Sequence, residues 1–243
     1  MKKITKTLLG LASFFAIIGI ISIGAAFMMG FNWNQFVEMA KNGELAIQKD
    51  DFKYENNIEH GNFINLDIEF SEGSLNIVYD DVKDIEVHQD GMKNFNSRKD
   101  GHTLEIRAEK NIFSSGTNGN ITIIVPKGYV FDKVDLEMGA GQADISDLCA
   151  NILDIEVGAG QADLLNVDVQ YFNASTGAGQ IQAELVGNET DYNYDVECGI
   201  GEIVIGNNSY GGFGRDTNIE NPGAERKLNV ECGVGQIVIE FQE

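Results

Sequence analysis

The sequence predicts an all-β chain built as a single-stack β-solenoid, parallel β-helix-like, with coils of about 19–22 residues, preceded by an N-terminal transmembrane helix. Three observations carry this reading. A strand, Gly-x-Gly, strand unit recurs as VDLEMGAGQADI from Val134, LDIEVGAGQADL from Leu153, FNASTGAGQIQA from Phe172, YDVECGIGEIVI from Tyr194 and LNVECGVGQIVI from Leu228. Inside each unit apolar and polar residues alternate with period two, the pattern of a strand with one buried face. An uncharged run from Thr7 to Phe31 stands ahead of all the units.

Lys2, Lys3 and Lys6 precede that run. It is long enough to cross a hydrocarbon core of roughly 30 Å, for which about 20 apolar residues suffice. Three of the 17 basic residues lie before it and all 38 acidic residues after it, so the remainder sets 14 basic against 38 acidic side chains, a net −24. The positive-inside rule then makes residues 1–6 a cytoplasmic N-terminus and 7–31 a signal anchor. The rest is expected outside, as the extracytoplasmic domain of a single-pass cell-membrane protein. Gly24, Ala25 and Ala26 offer a small-residue cleavage site, so a removed signal peptide is the alternative. Export follows from either. Residues 32–61 are polar and charged, a juxtamembrane linker in which Trp33 suits the membrane interface.

Residues 62–243 read as the solenoid domain. Within 62–126, the segments FINLDIEF, LNIVYD, KDIEVHQ, HTLEIRAE and NITIIVP are strands separated by turns such as QDGMK and KDGH. They are expected to start the sheet and cap its first coil. LDIEFSEGSLNI from Leu66 already fits the repeat, with Ser71 in place of the first glycine. Residues 127–243 supply the repeat coils, and an insertion at 206–227 accounts for the long last step. One unit cannot bury its inner face alone, so units must stack, about 4.8 Å apart.

The repeated glycines pose a choice between phosphate cradle and structural corner. A dinucleotide loop needs G-x-G-x-x-G running into a helix. Here the third-glycine position holds Asp144, Asp163, Gln182, Val204 and Val238, and a strand follows. The pairs Gly139 and Gly141, Gly158 and Gly160, Gly177 and Gly179, Gly199 and Gly201, and Gly233 and Gly235 therefore read as corners where the backbone has no room for Cβ.

Stacking turns the outward residues into lines. Glu137, Glu156, Ser175, Glu197 and Glu231 form one; Asp135, Asp154, Asn173, Asp195 and Asn229 form another. Unit charges 4.8 Å apart repel by about 1 kcal/mol in water, and the neutral members interrupt the repulsion. The plain reading is a solvated acidic face. The sharper one is a cation column, with Ca²⁺ bridging Asp135, Glu137, Asp154, Glu156, Asp195, Glu197 and Glu231. Gln142, Gln161, Gln180, Glu202 and Gln236 make a third line, whose amides can bond up the ladder. Cys198 and Cys232 share one inward position, as buried thiols or as a disulfide if their coils adjoin. The 206–227 insertion reads either as cover for Val204 and Val238 or as a binding loop.

Binding of nucleic acid is not expected from so acidic an exterior. The histidines are His60, His88 and His102, and none shares a catalytic spacing with Ser or Cys, so no catalytic residue is assigned. The carboxylate lines leave a carbohydrate-active β-helix enzyme as a remote alternative.

The anchor, the NITIIVPKGYVFDKVDLEMGAGQADI passage and the recurrent units resemble the bacterial adhesin β-strand-repeat family, a domain of unknown function, over about residues 60–243. The resemblance implies a surface-exposed β-solenoid, sometimes associated with cell-envelope stress systems, with no established catalytic residues to transfer. The expectation is a membrane-anchored, non-enzymatic surface module that binds an unknown protein or glycan or scaffolds the envelope. The alternative is an accessory or sensory part of an envelope stress system.

Overall fold

A computed structural model describes residues 63–92, 94–108, 119–211 and 214–242. Their strands are, in chain order, β1 (Asn65–Asp80), β2 (Glu86–Asp90), β3 (Phe95–Asp100), β4 (Thr103–Ala108), β5 (Asn120–Pro126), β6 (Phe131–Ser146), β7 (Cys149–Val157) and β8 (Gln161–Thr176). There follow β9 (Gln180–Val186), β10 (Tyr192–Cys198), β11 (Glu202–Ile205), β12 (Asn208–Ser209), β13 (Arg215–Ile219), β14 (Arg226–Cys232) and β15 (Gln236–Gln242). The only helical element among the described residues is the 3-10 turn Glu189–Asp191, so none of them forms a helix able to cross a membrane. The anticipated span at 7–31 and the linker at 32–61 lie outside the described residues, which belong to the compact unit Asp51–Glu243.

The long strands β1, β6 and β8 each turn a corner, and so belong to two rows of strands. One row, the carboxylate face, runs β3, β4, β1, β6, β7, β8, β14, β10, β13. The other, the glutamine face, runs β2, β5, β1, β6, β8, β9, β15, β11, β12. Neighbours are in register apart from a shift between Leu164 and Val167 where β8 meets β9, and parallel except at the four edges. There β3, β2, β13 and β12 pair antiparallel and cover the ends of the stack. Covered edges are what keeps a solenoid from pairing with another molecule.

A β-solenoid-like fold is therefore present, but its coils do not follow the chain. The coil of β14 and β15 sits between that of β8 and β9 and that of β10 and β11. At the other end β1 lies between β4/β5 and β6. Residues 62–126 thus contribute more than caps: β1 is a full coil, β4 and β5 make the terminal one, and only β2 and β3 are caps. The 206–227 insertion supplies β12 and β13, which cover strand edges rather than the outward side chains of Val204 and Val238.

Inward residues stack into columns that form one core. Leu66, Val134, Leu153, Phe172, Leu228 and Tyr194 line up on the carboxylate face, and each is 0–2 % exposed. Fully burying such a side chain is worth about 1.5–3 kcal/mol. Two polar residues are buried among the described ones: Thr176, whose Oγ1 accepts from the Gly179 amide at 2.9 Å, and Ser97 of β3, whose Oγ has no hydrogen-bond partner. Cys198 and Cys232 are register partners, buried and unbonded. Thiol labelling of the native chain is therefore expected to modify Cys149, the half-buried one, and to reach the other two only on unfolding. Equal labelling of all three would contradict this packing.

Candidate functional site

The corners settle one possibility by their hydrogen bonds. Gly158, Ala159, Gly177, Ala178, Gly233 and Val234 donate their amides to carbonyls of the neighbouring coil at 2.8–3.0 Å. The N–H groups that would have to cradle a phosphate are consumed in stacking. A Cβ on Gly158 would lie 2.5 Å from the Gly139 carbonyl oxygen, and one on Gly233 2.6 Å from that of Gly177. Most corner glycines have ordinary φ; coil-to-coil closeness excludes the side chain there. Gly141 alone of the ten adds a positive φ, +131°.

The carboxylate face is where the outward chemistry collects. In spatial order its Glu line is Glu69, Glu137, Glu156, Ser175, Glu231, Glu197, and its Asp line is Asp67, Asp135, Asp154, Asn173, Asn229, Asp195. The order expected from the sequence is corrected at its end, where Glu231 and Asn229 precede Glu197 and Asp195. β13 then adds Asp216 opposite Glu197 and Asn218 opposite Asp195.

Neutralisation is uneven along these lines. At one end Arg107 bridges Asp67 (2.7 Å) and Glu69 (3.2 Å). Next, Lys133 bridges Asp135 (2.9 Å) and Asp154 (2.7 Å), and those hydrogen bonds hold its ammonium well above its ordinary pKa. Asn173 donates to Asp154, and Asn229 donates to Asn173 at 2.5 Å, so an amide ladder continues where the ion pairs stop. Beyond it Asp195, Glu197, Asp216 and Glu231 have no Lys or Arg partner among the described residues. These four share a groove of about 530 Å³ with Asp135, Asp154, Glu156, Asn173, Ser175 and Asn229. A smaller hollow of about 310 Å³, lined by Glu197, Asp216, Glu231 and Arg215, lies at the adjoining corner.

For the cation column, Lys133 already occupies the bridge between Asp135 and Asp154. Among the described residues no three Asp, Glu, His or Cys side chains converge in a way that could hold a metal. Sequence reasoning missed Arg107, Lys133 and Asp216. Lys133 was legible, since it stands two residues before Asp135 in the same outward phase; Arg107 and Asp216 depend on which strands adjoin.

Glu137 reports the crowding. Partial burial, followed by the Glu69 and Glu156 carboxylates, pushes its pKa up. The folded state then keeps its proton to higher pH than the unfolded chain does. Stability at this group falls as pH rises from the ordinary carboxylate value through the raised one, and the cost persists at neutral pH. Glu137→Gln is expected to raise Tm slightly at pH 7 and to leave it nearly unchanged below the carboxylate range. Equal shifts at both pH values would rule out a charge effect.

On the glutamine face the amide ladder is only partial. Gln180 donates to Gln236 and Gln236 to Glu202, whereas Gln142 and Gln161 turn along their own strands to Asp144 and Asp163. The anionic partner two residues on wins over the neutral one above, as charge-assisted hydrogen bonds should.

With the two-cornered stack and its in-register coils established, comparison with known proteins gives a family. A model described as Toastrack DUF4097 matches residues 52–243. The chain belongs to the Toastrack DUF4097 family. Solved structures are also similar to the chain. One, an inferred cell adhesion protein from Clostridium sporogenes ATCC 15579, is 19 % identical with a TM-score of 0.54, over 74 % of this chain and 93 % of that one, and agrees in fold with the adhesin β-strand-repeat resemblance. Another, an inferred adhesin from Bacteroides fragilis NCTC 9343, is 15 % identical with a TM-score of 0.38 over the same shares. No curated protein sequence matches the chain.

Proposed function

We propose that this Toastrack chain is a membrane-anchored extracytoplasmic surface module, non-enzymatic, which binds a protein or glycan partner through its carboxylate face. The observation that supports this is the division of labour in the stack. Inward positions are filled by core residues and all four edges are covered, so chemistry is left to the outward side chains of two flat faces. Of these, the carboxylate face has the larger groove, about 530 Å³ with its run of uncompensated charge, against about 440 Å³ on the glutamine face beside Asp144, Asp163, Glu184 and Glu240. The adhesion role named for the Clostridium sporogenes relative points the same way. The anchor reading rests on the Thr7–Phe31 run and its basic flank.

Binding of the full chain, in detergent, to purified cell-wall polymer and to cationic protein tests it. Affinity is expected to fall with rising salt, because exposed charges are screened over about 10 Å at 0.1 M. It should also fall in the variant Asp195→Asn, Glu197→Gln, Glu231→Gln. Binding that survives this variant would reject the face, and no binding to either material would reject the module. An accessory role in an envelope stress system predicts instead a membrane-protein partner on crosslinking in intact cells, lost when residues 1–40 are removed.

A further inference from the structure

We propose that the coil 226–242 is an exchangeable insert, and that the slot it fills accepts the same coil from a second copy of the chain. The first observation is the strand order. β9 ends at Val186 and β10 begins at Tyr192, yet these two coils are not neighbours; the chain steps over one coil height in residues 187–191. Both walls of the resulting slot come from earlier residues: β8 and β9 on one side, β10 and β11 with their caps β12 and β13 on the other. The slot is thus complete in every respect except its occupant.

The occupant is fastened at its two ends. On entry, Arg226 pairs with Asp168 (2.9 Å) and donates to the Val186 carbonyl on one wall, and donates to the Tyr192 hydroxyl on the other (both 2.9 Å). On exit, the Gln242 side chain donates to Asn166 at 2.5 Å, and its carbonyl accepts from the Gly187 amide at 2.9 Å. Between these clasps the contacts are repeat contacts: the in-register ladder, the glycine corner and the inward column. Repeat contacts belong to any copy. LNVECGVGQIVI of the insert and YDVECGIGEIVI of its neighbour agree at eight of twelve positions, so the slot is graded for this motif rather than for one covalently attached segment.

The connection permits the exchange. Residues 220–225 run from β13 to β14 as an irregular strap containing Pro222 and Gly223, the latter at φ +90° with open space around it. Asn221 fastens the strap to the Tyr192 carbonyl at 2.6 Å and to Asn193 at 2.8 Å. Six extended residues reach about 20 Å. Exchange of an identical element through a hinge is a low-cost route to a symmetric dimer, because every contact made within one copy is remade between two.

Thr176 and Cys232 are register partners across the slot, which gives a direct test in the full chain. All chains carry Cys149→Ser and Cys198→Ser. An acceptor adds Thr176→Cys and Cys232→Ser; a donor keeps Cys232 and Thr176. The two are mixed at high concentration, unfolded, refolded together and oxidised. A covalent acceptor–donor heterodimer is expected, several-fold more abundant than in chains mixed without unfolding. Its absence would overturn the proposal, provided that one chain carrying both Thr176→Cys and Cys232 closes the bond internally. Should the acceptor fail to fold, deletion of Pro222 and Gly223 from the otherwise natural chain serves instead. The shortened strap is expected to shift the refolded chain from monomer toward dimer by native mass spectrometry, and an unchanged monomer would overturn the inference.

Discussion

Replacing Gly160 with alanine is expected to lower Tm by about 5–10 °C. The added Cβ would sit 2.5 Å from the Gly141 carbonyl oxygen, 2.9 Å from the Gly141 nitrogen and 3.0 Å from the Met138 methyl. The first two are backbone atoms of the next coil, locked by the ladder, so they cannot swing aside. Overpacking of this kind costs about 1–3 kcal/mol, and each kcal/mol moves Tm by about 2–4 °C in a domain of this size. The coil must lift locally, and the corner bond from the Gln180 amide to the Gly160 carbonyl, 2.9 Å, lengthens with it. Ala159→Ser, one residue away on the exposed ridge, is the control and should melt like the natural chain. Thermal denaturation of the pair decides. A Gly160→Ala melt matching the control would mean that the glycine is not required by stacking.

That contrast also explains how much could be read in advance. Glycine recurs because each corner meets the corner of the adjacent coil, so the constraint is repeated in the sequence and can be recognised there. Ser71 could be placed for the same reason: it occupies the place of a first glycine, and its carbonyl oxygen is what a Cβ on Gly139 would strike, at 2.8 Å. Coil order was not legible. Tyr194–Ile205 and Leu228–Ile239 present nearly the same inward column to whatever lies beside them, so neither declares its place. Their order is decided by contacts outside the repeat: β13 along β10, and Arg226 reaching Asp168 and Tyr192. The carboxylate lines were legible as lines, because alternation fixes which side chains face out. Their neutralised and bare stretches were not, because these depend on where β4 and β13 dock and on the reach of Arg107.

Phe172→Ala is expected to lower Tm by about 10–15 °C, more than any surface change. Phe172 is 0 % exposed and lies in the middle of the stack, between Leu153 of β7 and Leu228 of β14. Truncating a buried phenylalanine costs about 3–5 kcal/mol, through lost burial and through the cavity left behind. The position adds a second effect. In a solenoid each coil touches only its neighbours, so stability is nearly a sum of coils and the interfaces between them. Phe172 belongs to the coil that joins β7 and the first part of β8 on one side to the inserted coil 226–242 on the other. Weakening it loosens the coupling between the two halves, whereas Phe95→Ala, in the cap β3, weakens only one end. Denaturant unfolding should therefore lose cooperativity in Phe172→Ala and keep it in Phe95→Ala. A single sharp transition in both, with equal shifts, would show that the stack unfolds as one indivisible unit.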